Sequence, residues 1–166
     1  LSDLYSINLI TDTLAGEHWI VPGSLVTNNF NVSYGVGKLS ILPQTLEVKV
    51  QDEAIKYGDA IPNFTATVSG FVNNENLASI SDSLVFVVEP TYTGAGTYSI
   101  KPILYLKPPA NYTLAPVEGK LTVLPAELHV KTDISVIDYG DPLPNFTSTV
   151  TGFMNTETIE SVSTGI

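Results

Sequence analysis

Neither cysteine nor arginine occurs anywhere in the chain. The first absence removes disulfides and thiolate-held metals from the list of things that stabilise the fold. The second leaves seven lysines against 17 acids, a formal charge of −10. Phosphate-rich partners require basic side chains, so nucleic acid is excluded as a partner, and an anionic membrane surface is equally ill matched. Charge of either sign is sparse, 14% of residues. No apolar run approaches the roughly 18 residues of a spanning helix, which argues against direct membrane insertion. No leader-like stretch is visible, and a segment from the interior of a longer chain would show none. What is abundant is apolar surface: 43% of residues, the content of a globular fold rather than a disordered linker. The acidity itself suits the solubility of a much-repeated surface.

The chain repeats itself. Tyr57-Gly58-Asp59-Ala60-Ile61-Pro62-Asn63-Phe64, continuing to Gly70-Phe71, returns as Tyr139-Gly140-Asp141-Pro142-Leu143-Pro144-Asn145-Phe146, continuing to Gly152-Phe153. Eleven of the fifteen positions are identical, at an offset of 82 residues. That spacing is too long for a solenoid turn and fits one small domain. Gly37–Pro43 recurs as Gly119–Pro125 at the same offset, and Asn29-Phe30 as Asn111-Tyr112. Earlier the offset drops to 80, pairing Ala15-Gly16 with Ala95-Gly96; two extra residues near Pro108-Pro109 account for the slip. The phase is then the C-terminal part of one unit over 1–44, a complete unit over 45–126 and the N-terminal part of a third over 127–166. Half a small domain rarely buries enough to fold alone, so the expectation is a window from a longer array. A different phasing, 1 to about 83 and 84–166, is the alternative.

Period-2 alternation marks strands at Tyr5–Ile10, His18–Pro22, Phe30–Tyr34, Lys38–Leu42, Leu46–Val50 and Phe64–Val68. Leu84–Val88 is a continuous apolar run of strand length and reads as a central strand, with later strands expected over Gly96–Leu106 and Asn111–Leu124. Asn73 or Asn74 is placed to cap a short helix through Glu75, Leu77, Ala78 and Ile80, echoed by Asn155, Glu157, Ile159 and Val162. Pro43-Gln44 and Pro125-Ala126 are the only residues between successive units, and a proline in so short a joint makes it stiff. The fold class is therefore mainly β, small β-rich domains arranged end to end. Each is β-grasp-like with one short helix, with an immunoglobulin-like β-sandwich as the alternative.

One family shares this pattern. Tyr57-Gly58-Asp59, Pro62–Thr65, Thr67–Asn73, Gly96–Ile100, Asn111–Thr113 and Gly119–Val123 together resemble the MBG repeat. The likeness covers essentially the whole chain, with the full pattern only in 45–126. It departs where Gly16-Glu17-His18-Trp19-Ile20 replaces the Gly-Thr-Tyr form. The resemblance implies a very large secreted or surface-attached bacterial protein of adhesin type, including those of gliding Bacteroidetes. It implies an extracellular or cell-surface location, no assigned catalytic residues and no assigned ligand.

The chemistry-bearing residues are weighed beside that expectation. His18 stands where the next unit has Tyr98, and His129 where the previous unit has Glu47, so neither position demands imidazole and no metal site is expected. No nucleophile elbow or base-bearing constellation is present, and the chain is expected not to be an enzyme and to need no cofactor. Asp59 with Asp52 or Glu53 has the oxygens for calcium. Ile134 and Ser135 stand at the equivalents of Asp52 and Glu53, so an aspartate bonding its own turn is the simpler reading. Lys49 and Lys131 recur as isopeptide candidates, but alternation puts Lys49 opposite the valines, in solvent. Tyr57, Gly58, Asp59, Pro62, Phe64, Gly70 and Phe71, with Tyr139, Gly140, Asp141, Pro144, Phe146, Gly152 and Phe153, are the repeat-defining structural residues. Trp19, Tyr92 and Tyr105 have no aromatic counterpart and are the better candidates for a private binding surface. Asp12-Thr13-Leu14 and Asp82-Ser83-Leu84 match the Asp-Ser/Thr-apolar pattern of O-glycosylation, making Thr13 and Ser83 candidate acceptors. The expected role is a stiff stalk projecting a distal binding region, its partners being neighbouring repeats. The rival is a weak glycan- or host-protein-binding module acting by avidity.

Overall fold

A computed structural model describes residues 13–23, 27–109 and 111–163. The strand expected over Tyr5–Ile10 lies outside the described residues. The others form strands β1 (Gly16–Ile20), β2 (Gly37–Ile41), β3 (Gln44–Val50), β4 (Glu53–Lys56) and β5 (Ala66–Ser69), then helix α1 (Leu77–Ile80). After it come β6 (Ser81–Glu89), β7 (Gly96–Leu106), β8 (Tyr112–Val117), β9 (Gly119–Leu124), β10 (His129–Thr132), β11 (Ser148–Thr151) and helix α2 (Ile159–Val162). The fold is mainly β, as its alternating sequence implies.

The chain divides into two compact units. One comprises Leu1–Val50, Ala66–Val87 and Lys101–Glu118. Here β1 and β2 pair, and β3 lies at the centre of a three-stranded sheet in the order β5-β3-β8, antiparallel to β5 and parallel to β8. On β3 the alternation is complete: Leu46, Val48 and Val50 are buried while Glu47 and Lys49 face solvent. Leu104 and Tyr112 join the three β3 residues as the buried apolar side chains of this unit.

The second unit comprises Gln51–Thr65, Val88–Ile100 and Gly119–Ile166. In it β9 pairs parallel with β4 and antiparallel with β7, while β10 and β11 pair with each other. Its buried apolar side chains are Tyr98, Ile100, Leu121 and Val123. The full order of the four-stranded sheet is β4-β9-β7-β6. Among the described residues strand β6 is therefore an edge rather than the central strand expected from Leu84–Val88: Val85 and Val87 remain about 41% and 38% exposed. A continuous apolar run does not by itself report cover on both faces.

Strand registers recur at the offsets seen in the sequence. Val48 pairs with Val68 in β3–β5, and Val130 with Val150 in β10–β11. His18 pairs with Leu39 in β1–β2, and Tyr98 with Leu121 in β7–β9. Two segments depart from their counterparts. The strand expected over Phe30–Tyr34 is irregular and exposed, although the matching Tyr112–Pro116 forms most of β8. Residues 135–138 likewise form no strand although Glu53–Lys56 does. Neither segment is laddered to a strand among the described residues. β8 needs β3 and β4 needs β9, so propensity without a partner leaves the backbone unladdered.

The helices are single turns and begin later than expected. Asn76, not Asn73 or Asn74, caps α1: its Oδ1 accepts the Ser79 N–H at 3.1 Å, and Ser79 Oγ accepts the Asn76 N–H at 3.0 Å. Asn73 and Asn74 instead take left-handed turn geometry, with φ of 55° and 58°. Asparagine tolerates that region because its short amide bonds locally. The equivalent pair is Asn155 and Thr156, at φ 49° and 63°. A β-branched residue fits there poorly, so Thr156→Asn is expected to stabilise the protein by about 1 kcal/mol, seen as a raised thermal midpoint. An unchanged or lowered midpoint refutes this.

Candidate functional site

The repeat-defining turn is closed by its own aspartate. Asp59 N–H donates to Lys56 O at 3.0 Å, and Asp59 Oδ2 accepts the Lys56 N–H at 3.0 Å. Asp141 makes the same pair of bonds with Asp138, at 3.1 and 3.3 Å. Gly58 and Gly140 supply the positive φ these turns need, 95° and 102°. Asp52 Oδ1 is engaged by the Lys120 N–H at 2.8 Å. Among the described residues no three His, Asp or Glu side chains converge as a metal site.

His18 has a plain structural counterpart. Its Nε2 lies 2.7 Å from Leu14 O, four residues back. At the equivalent position Tyr98 donates its hydroxyl to Gly94 O at 2.8 Å, also four residues back. The two rings close the same local loop. His129, Lys49 and Lys131 are exposed on their strands.

The aromatics of the repeat split by copy. Tyr57, Phe64 and Phe71 are half-buried, as are Pro62, Pro144, Gly152 and Phe153, whereas Tyr139 and Phe146 are exposed. Trp19 and Tyr105 are open to solvent, about 60% and 54% exposed, and Lys38 Nζ lies 5.9 Å from the Trp19 ring centroid. Tyr92 is no free surface group: it packs edge-on against Tyr98 with centroids 5.6 Å apart. Thr13 and Ser83 are exposed, while Asp12 lies outside the described residues.

Two of the hollows among the described residues occupy equivalent places. One, of about 120 Å³, is lined by Ala15, Leu42, Gln44, Val72, Glu75, Asn111 and Tyr112 among others. The other, of about 190 Å³, is lined by Ala95, Pro125, Ala126, Met154, Glu157 and Tyr57 among others. Ala15 and Ala95 correspond, as do Gln44 and Ala126, Val72 and Met154, Glu75 and Glu157. Each hollow contains the residues around one proline junction.

Polar contacts organise both. In the first, Tyr112 donates its hydroxyl to the Glu75 carboxylate and accepts the Val72 N–H at 3.2 Å. Asn111 accepts the Ala15 N–H on Oδ1 at 2.9 Å and the Gln44 N–H on its backbone oxygen at 3.0 Å. In the second, Tyr57 donates to Glu157 Oε1 at 2.7 Å. Burial, and then the hydrogen bond to Glu75, push the Tyr112 phenol above its usual value. For Tyr57 a hydrogen bond with Asn155 favours the phenolate, but the Glu157 hydrogen bond and charge carry the phenol upward overall. Sequence motifs single out Tyr57, give Glu75 and Glu157 only as helix residues and Asn111 only as part of the repeat pattern, and do not mark Met154. The signal available was their register: Glu75 and Glu157 stand 82 residues apart, as do Asn29 and Asn111.

The Tyr112 arrangement has a pH consequence. The folded protein holds this proton more tightly than the unfolded chain, so the contribution is complete below about pH 10, the ordinary tyrosine value. It is lost as the pH rises through the higher folded value. Tyr112→Phe, which strands the Val72 N–H and frees Glu75, is expected to cost about 1–3 kcal/mol at neutral pH. It is also expected to flatten the fall in stability above pH 10. Denaturant melts at pH 7, 9 and 11 check both; an equally steep alkaline fall in the variant refutes the assignment.

Such a module is built of sheets, turns and self-satisfied polar contacts, with one buried serine as its sole buried polar residue among those described. Residues 46–122 match the family model of the MBG domain, YGX type. A comparison with curated proteins finds no match, and neither does one with solved structures.

Proposed function

We propose that the chain is a run of MBG repeats, 1–44, 45–126 and 127–166, from a secreted or cell-surface bacterial adhesin, and that it serves as a stiff stalk carrying a distal binding region. The observation that carries this reading is the recurrence of strand registers and of the aspartate-closed turns at the repeat offset. The joints are short: only Leu42 and Pro43 separate β2 from β3. Spacing, rather than chemistry, is the task such joints suit, and we take the chain to be non-enzymatic. Division of strands β3 to β9 between a three-stranded and a four-stranded sheet, with helices of a single turn, favours the immunoglobulin-like alternative over one grasping sheet.

A second reading has one specific support, the exposure of Trp19 and Tyr105. Rings open to solvent stack on sugars, and a weak module gains avidity by repetition. Neither ring recurs between units, so avidity has no repeated surface to multiply. The test is a glycan and surface-protein binding screen of the 166-residue chain, with Trp19→Ala and Tyr105→Ala as comparisons. The stalk reading expects no binding. Binding abolished by either substitution establishes the adhesive module instead.

A further inference from the structure

We infer that Tyr57 and Gly58 form a docking site for the loop after β11 in the following repeat, and that the Tyr57–Glu157 hydrogen bond latches one repeat to the next. The inference rests on the reading of the chain as linked repeats and names the partner surface: the Met154–Glu157 loop of another copy of the same repeat.

Three observations place it. Tyr57, in the complete repeat, donates to Glu157, in the next, at 2.7 Å across 100 residues of sequence. The face of Gly58 lies against Met154 so closely that a Cβ there would stand 2.7 Å from Met154 Cγ. At the corresponding turn, the face of Gly140 meets nothing within 4 Å, and Tyr139 is fully exposed. The same turn sequence is thus seen once with a following repeat seated on it and once without. Tyrosine and glycine serve different purposes here. The phenol reaches across to the carboxylate, and the missing Cβ lets a thioether side chain pack flat on the turn.

The other junction shows what else the joint contains. At Glu75 the carboxylate receives Tyr112 of its own repeat, while Asn111 Oδ1 holds the Ala15 N–H of the preceding one at 2.9 Å. Translated through the repeat offset, both phenols reach the same carboxylate, which has two oxygens to offer them. The joint is therefore a hydrogen-bonded latch with an apolar contact beside it, not a bare proline linker.

The test uses the full 166-residue chain and follows amide hydrogen exchange at Val162 and Ser163, which donate to Thr158 and Ile159 in α2. Tyr57→Phe and Glu157→Ala are each expected to speed exchange there about two- to tenfold, the range of one net hydrogen bond. The double variant should be no faster than the faster single one. Tyr139→Phe, with no seated partner, should change nothing. Gly58→Ala and Gly140→Ala carry the same turn strain, but only Gly58→Ala should accelerate exchange in α2. Additive effects of Tyr57→Phe and Glu157→Ala, unchanged exchange in Tyr57→Phe, or equal exchange in the two glycine variants overturns the latch. None of these results bears on whether the chain binds a glycan or protein, so a failed latch leaves the stalk reading standing and is distinguishable from its failure.

Discussion

Gly70→Ala is expected to destabilise the protein by about 3–5 kcal/mol, among the largest effects of any single substitution. Gly70 sits at φ 100°, immediately after β5. An alanine in that left-handed region carries a cost of about 1–2 kcal/mol before any contact is considered. The Cβ would then stand 2.4 Å from Thr45 O, a backbone atom on the adjoining strand β3. A flexible side chain can swing away; the Thr45 backbone, paired with Thr113, cannot shift without disturbing the β3–β8 ladder. Gly152 repeats the geometry, at φ 103° with Glu127 O 2.3 Å from its would-be Cβ. Denaturant unfolding of Gly70→Ala, read by circular dichroism, checks the prediction. A loss below about 1 kcal/mol shows that the strand yields and the clash is relieved.

Leu46→Ala is the second large effect, at about 3–5 kcal/mol. Leu46 is completely buried on β3, and its removal leaves a cavity that neighbouring strands fill only in part. Leu128 stands at the equivalent position one repeat later, yet is 46% exposed. Leu128→Ala is therefore expected to cost less than about 1 kcal/mol. Same residue, same place in the motif, unequal cost: the pair measures tertiary cover rather than local pattern. Equal midpoint shifts for the two variants in thermal melts sink this account.

Much of the fold was legible because strand periodicity is written one residue at a time. Leu46, Val48 and Val50 declare their face, and Lys49 declares the other. Closing of the Tyr-Gly-Asp turn by its aspartate was also readable, since a short carboxylate bonds backbone within its own turn. Strand β6 misled, because an apolar run records composition and not how many neighbours will cover it. The cap slid to Asn76 because Asn73 and Asn74 suit left-handed turns as well as they suit caps. That His18 stands where the next unit has Tyr98 was readable from the sequence. Its pairing with Leu14 O became visible only beside the matching Tyr98 bond.

The sequence alone determined the recurrence of motifs at an offset of 82 residues, the β-rich class and the residues that turn the chain, because these depend on local sterics and on identity compared with identity. Tertiary structure alone decided which copy of each motif is covered and which is bare, and that Glu75 meets Tyr112 while Glu157 meets Tyr57. Contacts of that kind join residues 37 and 100 positions apart. Nothing in a local pattern names the partner of a side chain; only the path of the backbone through its sheets brings the two together.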